Sequence, residues 1–189
     1  MSTLEFISIG EQRIEGVPLR CVALSEPNPG ALYRRRLDAM YSCKADYLCF
    51  VDGGDDVCLP GFVEAMQALA DTGAAIGYAD ELQHGSARVD LPAFSLKAFL
   101  RDHSIIHHGV VCRVDLLRAY AWPAGCYSWE TLAYGTLAQL GFAYDSVPRY
   151  DWRPGPNGAR LWGGFARGIN NSKLHLQGRE GVHLPKDFK

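Results

Sequence analysis

Residues 46–61 read Asp-Tyr-Leu-Cys-Phe-Val-Asp-Gly-Gly-Asp-Asp-Val-Cys-Leu-Pro-Gly, and this segment decides the fold. Its apolar run at 47–51 is short and bounded by turn residues, which predicts a strand buried on both faces. The run ends at three carboxylates, Asp52, Asp55 and Asp56, which only glycines separate. Open α/β sheets bind their ligands at the carboxyl ends of strands, so these carboxylates lie where a site is expected.

The acidic turn, residues 52–56, has two interpretations. Like charges this close repel one another unless a cation lies among them. Hard oxygen ligands on a glycine-rich turn suit Mg²⁺ or Mn²⁺, with a substrate phosphate completing the shell. The alternative is an ordinary exposed turn, because glycine supplies positive φ and Asp caps backbone amides. The residues of the turn alone leave both interpretations open.

The composition of the whole chain is that of a soluble globular protein. Its 189 residues are 48% hydrophobic and 21% charged, with a formal net charge of −2, which is enough apolar material for one core. We see no signal peptide and no run near the ~20 apolar residues of a membrane span, so we expect a cytoplasmic protein. The six cysteines form no Cys-x-x-Cys pair, which disfavours a zinc site or a disulfide framework and fits a reducing compartment.

Charge divides the chain unevenly. Acidic residues predominate in 1–148 and basic residues in 149–189. We expect a single domain at 1–155 and a basic extension at 156–189. The extension either packs on or over the acidic centre and helps to hold an anionic ligand, or forms a solvated basic tail.

Hydrophobic periodicity predicts alternating strands and helices. The predicted strands are 4–9, 19–24, 47–51, 74–78, 110–112, 144–147 and 149–152. The predicted helices are 28–43, one opened by Pro60-Gly61, 115–120 and 128–140, with a further one near 161–170. The first is expected to bury Leu32, Leu37, Met40 and Tyr41, and the apolar face of the second carries Phe62, Met66 and Leu69. Asn28 and Ser128 are the expected N-caps. Alternation of this kind indicates parallel strands joined by right-handed crossovers.

Around the acidic turn, the chain resembles the family-2-type glycosyltransferases of the GT-A fold. The residues that carry this resemblance are Arg36, Asp46-Tyr47, Asp52, Asp55-Asp56 and Pro60. Similar segments in the second half are His107-His108-Gly109, Ser128-Trp129-Glu130 and Tyr150-Asp151-Trp152-Arg153. The resemblance covers about residues 30–155. It implies a GT-A-like three-layer α/β/α sandwich with a mostly parallel central sheet.

The resemblance also implies a metal-dependent, inverting transfer of a sugar from a nucleotide diphosphate sugar to an acceptor hydroxyl. In this interpretation Asp55 and Asp56 bind Mn²⁺ or Mg²⁺, and Asp52 is a direct ligand or supports the ligands. In some relatives a histidine of this region completes the metal shell, which makes His107 or His108 the candidate ligand here. The alternative for this pair is that one imidazole packs in the core and the other faces solvent, as strand alternation requires.

Four further residues receive roles from the resemblance. Glu130 is the candidate catalytic base, with a surface helix residue as the alternative. Arg36 is the candidate contact to the donor diphosphate or to the acidic turn. Arg153 lies on a loop that either brings the positive charge of this arginine toward the donor or simply connects two elements. Glu26 is the candidate substitute for a base-binding turn that the chain lacks.

The chain departs from the family pattern at three places. The acidic turn has one extra glycine, Leu37 stands where the family has Asn, and the second strand ends at Ser25-Glu26-Pro27 without an Asp-Gly-Ser turn. Two competing functions therefore remain: a catalytically silent domain that binds a nucleotide or sugar, and another metal-dependent nucleotide enzyme such as a nucleotidyltransferase or pyrophosphatase-like hydrolase. The acceptor stays open among a glycan, a small molecule and a modified nucleic acid.

Overall fold

A computed structural model describes residues 1–9, 16–23, 28–51, 57–83, 85–87, 94–106, 109–125, 127–152 and 158–178. Eight strands, six α-helices and one short 3₁₀-helix (His103–Ile105) form within these residues. The strands are β1 (Leu4–Ile9), β2 (Leu19–Val22), β3 (Tyr47–Phe50), β4 (Val57–Cys58), β5 (Ile76–Gln83), β6 (Ser86–Ala87), β7 (Val110–Arg113) and β8 (Phe142–Trp152). The helices are α1 (Pro29–Ser42), α2 (Phe62–Asp71), α3 (Leu96–Arg101), α4 (Val114–Ala119), α5 (Trp129–Leu137) and α6 (Gly158–Gln177).

The strands form one sheet in the order β2-β1-β3-β7-β5-β8-β4, with β6 paired to β5. Strand β1 pairs in parallel with β2 and β3, and β5 pairs in parallel with β8. These parallel pairs hold most of the paired residues, so the predicted mostly parallel sheet is confirmed. Strand β7 is antiparallel to both β3 and β5, which the simple alternation of strands and helices did not predict.

Helices cover both faces of the sheet, which confirms the three-layer α/β/α sandwich. On one face, α2 packs Phe62, Met66 and Leu69 into a core that includes Phe6 and Tyr150. The opposite face carries the larger core, built with α1, α3, α4, α5 and α6. Strand β3 is buried throughout, as its unbroken apolar run predicts. In the described ranges no helix is long and apolar enough to cross a membrane.

Helix α1 begins as predicted but turns a different face inward. The Asn28 side chain accepts a hydrogen bond from the Ala31 amide at 2.8 Å, and proline follows it at the first helical position. The buried residues of α1 are Tyr33, Arg36, Ala39 and Met40. The pattern predicted Leu32, Leu37, Met40 and Tyr41, and Tyr41 is 54% exposed. The buried face differs from the predicted one because Arg36 lies on the inward side of α1, where it forms an ion pair with Glu130.

The second half differs from the predicted elements in length rather than in type. Strand β8 is continuous where two strands at 144–147 and 149–152 were predicted, because a register shift opposite Ala79 and Glu81 accommodates the extra residues around Pro148. Helix α6 extends beyond the predicted 161–170. Helix α3 forms in a stretch where no element was predicted, since six residues are too few to display a helical period.

Candidate active site

The acidic turn continues directly from the interior of the sheet. Val51 is buried, and its amide donates to the carbonyl of Ile7 on the neighbouring β1 at 2.9 Å. The turn itself, Asp52, Asp55 and Asp56 included, lies outside the described residues, as do Glu26, His107, His108 and Arg153. Their predicted roles therefore stay predictions. Within the described ranges, no group of three or more His, Cys, Asp or Glu side chains is placed to hold a metal ion.

Glu130 occupies an exceptional position on α5. Every other residue of that helix, from Trp129 to Leu137, is buried. Glu130 alone is half-buried, with 29% of its side chain exposed. Helix α5 therefore has no solvent-facing side apart from this carboxylate, and the assignment of Glu130 as the base stays a prediction.

The structure brings Arg36 and Glu130 together, although the sequence assigned them separate roles. The guanidinium of Arg36 forms an ion pair with Oε1 of Glu130. Arg36 is 1% exposed, and its guanidinium carbon lies 5.1 Å from the centre of the Phe50 ring. Phe50 precedes the acidic turn by two residues, so the ion pair lies near the carboxyl end of β3. The neighbouring Arg34 and Arg35 are exposed.

The second oxygen of Glu130 is bound by the residue that caps its own helix. The hydroxyl of Ser128 donates to Oε2 of Glu130 at 3.0 Å. The same hydroxyl oxygen accepts from the amide of Thr131 at 3.2 Å and from the hydroxyl of Thr131 at 3.0 Å. The predicted N-cap at Ser128 is confirmed, and the cap also orients the candidate base.

A small pocket lies in front of the ion pair. Pro29, Leu32 and Tyr33 of α1 line one side, and Trp129 and Glu130 of α5 line the other. Its enclosed space is about 10 Å³, room for roughly one water molecule. This space is too small for a nucleotide.

Aromatic rings form the walls of this pocket. The Trp129 ring meets the Phe50 ring edge to face, with 4.8 Å between the ring centres. It also stacks on the Trp122 ring, with 5.8 Å between the ring centres and an interplanar angle of 8°. The Tyr33 hydroxyl donates to the carbonyl of Pro123 at 2.8 Å. Burial raises the pKa of Tyr33, and the neighbouring tyrosines Tyr120 and Tyr127 reinforce the shift. Tyr33 therefore stays neutral, and Glu130 is the group of this pocket suited to accept a proton.

Sequence reasoning missed the contribution of α6 to this region. Gly168 lines the pocket, and Ser172 bonds to the backbone of Ser128. The sequence contains one indication of this contact. Gly168 and Ser172 are small residues four positions apart on a helix, a spacing that permits close approach to a neighbouring segment. That signal is weak without knowledge of which segment lies opposite.

Comparison with solved structures identifies the fold. S. aureus TarS matches with a TM-score of 0.58 and 12% identity, over 80% of this chain and 36% of that one. Glucosyl-3-phosphoglycerate synthase from Mycobacterium tuberculosis matches with a TM-score of 0.60 and 15% identity, over 94% of this chain and 80% of that one. A TarS 1–349 complex with UDP-GlcNAc matches with a TM-score of 0.52 and 14% identity, over 74% and 43%.

The chain thus spans only 36% to 56% of the length of these TarS structures. No family model and no curated protein matches it. Both structural neighbours are GT-A-type glycosyltransferases. The chain therefore has the GT-A fold, which confirms the fold that the sequence resemblance implied.

Proposed function

We propose that the protein is a metal-dependent glycosyltransferase that moves a sugar, with inversion, from a nucleotide diphosphate sugar to an acceptor hydroxyl. The position of Glu130 carries the proposal. It is the one residue of α5 that is not buried, and it lies with Arg36 beside the strand that leads into the acidic turn. The neighbours add support, since one holds Mn²⁺, UDP-glucose and phosphoglyceric acid and another holds UDP-GlcNAc.

A divalent cation is part of this proposal. Asp55 and Asp56 would hold Mn²⁺ or Mg²⁺, with Asp52 as a ligand or support and His107 or His108 completing the shell. Carboxylate and imidazole are donor groups that fit these ions. When bound, such an ion neutralises the negative charge of the departing diphosphate.

The side chains of the chain itself supply the remaining functions. In the transfer, the acceptor oxygen bonds to the anomeric carbon while the bond from that carbon to the diphosphate oxygen breaks. The proton of the acceptor hydroxyl passes to the carboxylate of Glu130, which must face away from the leaving group. Arg36 holds Glu130 before the substrates arrive and contacts the diphosphate or the acidic turn afterwards. Glu26 and Arg153 would contact the donor.

The broader features of the proposal concern the acceptor and the basic extension. Residues 156–189 would pack on or over the site and favour an anionic ligand. The acceptor would be a glycan, a small molecule or a modified nucleic acid that presents a hydroxyl group. A cytoplasmic location would give access to nucleotide sugars.

The first experiment measures binding. Thermal unfolding is followed with Mn²⁺ and a panel of nucleoside diphosphates, where ligand at about 100 times its Kd adds ~2.7 kcal/mol, or roughly 5–10 °C for a chain of this size. The variants Asp55→Asn and Asp56→Asn should lose the metal-dependent part of the shift. Asp38→Asn, an exposed residue of α1, is the matched control. Absence of a shift with every nucleotide, with or without metal, would contradict the proposal.

A second experiment measures turnover of nucleotide sugars. Release of the nucleoside diphosphate with sugar transfer, or with slow donor hydrolysis, supports a glycosyltransferase. Cleavage within the diphosphate would instead indicate a nucleotidyltransferase or a pyrophosphatase-like hydrolase.

One observation favours a second candidate, a domain that binds a nucleotide or sugar without transferring it. The Arg36–Glu130 ion pair lines a pocket that has room for only about one water molecule. In such a domain the pair would be structural, and Glu130 would accept no proton. A clear thermal shift without turnover of any donor would select this candidate.

A further inference from the structure

Helix α6 approaches the start of α5 unusually closely. A side-chain carbon added at Gly168 would lie 3.2 Å from the carbonyl carbon of Tyr127 and 3.3 Å from the amide nitrogen of Ser128. That amide donates to the hydroxyl of Ser172 at 2.9 Å and to the carbonyl of Gly168 at 3.2 Å. Ser172 is fully buried, and its own hydroxyl donates to the carbonyl of Gly168 at 2.8 Å. The two small residues of α6 therefore fix the backbone of Ser128.

The hydroxyl of Ser128 has no remaining freedom. A serine hydroxyl has one hydrogen to donate and two lone pairs that accept. Ser128 donates its hydrogen to Oε2 of Glu130 and accepts from both the amide and the hydroxyl of Thr131. Its position is therefore determined by α5 on one side and by its own backbone, held by α6, on the other.

From this network we infer that Ser172 is a positioning residue for Glu130, acting through Ser128. The inference rests on the proposed function, because it assigns Ser172 to the base of that reaction. Ser172 fixes the Ser128 backbone, Ser128 fixes one oxygen of Glu130, and Arg36 fixes the other. The base is thus held at both oxygens before any acceptor arrives, by residues from three helices.

The consequence for catalysis follows from the flexibility of glutamate. Its side chain has several rotatable bonds, and a displacement of 1 Å costs a reaction ~100-fold in rate. Loss of the Ser172 hydroxyl leaves the Ser128 amide bound only to the Gly168 carbonyl. We expect kcat to fall about tenfold in Ser172→Ala, with donor affinity unchanged, because the donor is not bound by this network.

The test compares Ser128→Ala, Ser172→Ala and the double variant in the full chain. If Ser172 acts through Ser128, the double variant has the same kcat as Ser128→Ala to within about twofold. Thr136→Val is the matched control, since it removes a buried hydroxyl of α5 that has no partner among the described residues. A kcat for Ser172→Ala equal to that of the wild type, or a double variant in which the two losses multiply, overturns the inference.

A second readout does not depend on turnover. The carboxyl signals of ¹³C-labelled glutamates are titrated by NMR, and Glu130→Gln identifies the Glu130 signal by its loss. A hydrogen bond to the charged carboxylate favours that form, so Glu130 should titrate at higher pH in Ser128→Ala and Ser172→Ala and at the wild-type pH in Thr136→Val. An unchanged titration in Ser172→Ala overturns the inference, since a merely structural serine would lower stability alone.

The two readouts separate this inference from the proposed function. If the wild-type protein turns over no donor, the proposed function fails, and the NMR comparison still decides whether Ser172 positions Glu130. If turnover is found and the Glu130 titration ignores Ser172, the positioning role fails and the proposed function stands.

Discussion

Helices α2 and α5 pack on opposite faces of the same sheet, yet the two helices are built in opposite ways. Helix α2 buries one face, including Phe62, Met66 and Leu69, and leaves Glu64 in solvent. Gly61 occupies the N-cap position of α2 with a φ of 78°, and no side chain there caps the helix. Helix α5 is buried on every side except at Glu130, and Ser128 caps it.

The difference shows where a charged residue carries functional information. On α2 the acidic side chain lies on the polar face that any amphipathic helix presents to water. On α5 a carboxylate interrupts an otherwise apolar helix, which is costly unless the charge is paired and hydrogen-bonded. Arg36 and Ser128 supply that pairing. A carboxylate at such a position needs an explanation beyond solubility, and the proposed role of Glu130 as the base would provide one.

The largest expected effect comes from removing the charge of Glu130 on α5, with the matching change of Glu64 on α2 as the control. Glu130→Gln should keep donor binding and lower turnover by at least ~100-fold, because general base catalysis contributes ~10²–10⁴. Glu64→Gln, the equivalent change on α2, should leave turnover at the wild-type rate. Steady-state kinetics provide the measurement, with a nucleotide sugar that the wild-type protein turns over. A fully active Glu130→Gln protein would show that the base has been assigned to the wrong residue.

The ion pair should make α5 sensitive to a change on α1. Arg36→Met is expected to lower the free energy of unfolding by about 2 kcal/mol. This is less than for a fully buried pair, because part of the Glu130 side chain reaches water. Arg35→Met removes an exposed arginine, 3.7 Å from Asp38, and should cost less than about 0.5 kcal/mol. Urea unfolding measures both, and equal losses would remove the contrast between the two arginines.

Opposite substitutions at small residues test how tightly each helix is packed. Gly135→Ala places a carbon 2.6 Å from Leu176 and 3.0 Å from Phe99, so we expect a loss of about 1.5 kcal/mol despite the better helix propensity of alanine. Ala68 lies on the exposed face of α2, and Ala68→Gly should cost about 1 kcal/mol through propensity alone. Thermal unfolding of both variants gives the comparison. A stabilised Gly135→Ala protein would mean that α3 and α6 yield easily around α5.

The smallest effect is a shared response to alkaline pH. Burial raises the pKa of Tyr33 on the α5 side of the sheet and of Tyr47 on the α2 side. Above pH ~10 the unfolded chain releases these protons and the folded protein retains them, so stability present at lower pH is lost as pH rises. Between pH 8 and pH 10.5 Tyr33 should cost about 0.8 kcal/mol, and Tyr47 should add a fall in the same direction. Tyr33→Phe and Tyr47→Phe should each flatten this fall in urea unfolding, and an unaltered slope would argue that the side chain is accessible to solvent.

The sequence predicted those features of the molecule that depend on near neighbours in the chain. The unbroken apolar run of β3, the Asn28 and Ser128 caps and the apolar face of α2 are local patterns, and the structure contains all of them. The direction of β7 was not predictable, because strand polarity depends on how the intervening chain returns to the sheet.

The candidate site was predictable as a set of residues rather than as an arrangement. Arg36 and Glu130 were both selected, but their contact joins positions that are far apart in sequence, and no spacing rule connects them. Hydrophobicity predicted that Tyr41 lies on the buried face of α1. Arg36 is buried instead, because it forms an ion pair with Glu130 of α5. Polar contacts between helices thus overrode the apolar period. The metal-binding roles of Asp52, Asp55 and Asp56 stay predictions.

The stacked indoles of Trp122 and Trp129 give the protein an optical signal of its own. Two parallel chromophores at 5.8 Å couple electronically, and one of them is the immediate neighbour of Glu130. Any ligand that moves this carboxylate or the loop before α5 will disturb the coupling. Near-ultraviolet circular dichroism and tryptophan emission would then report the binding of such a ligand without a label.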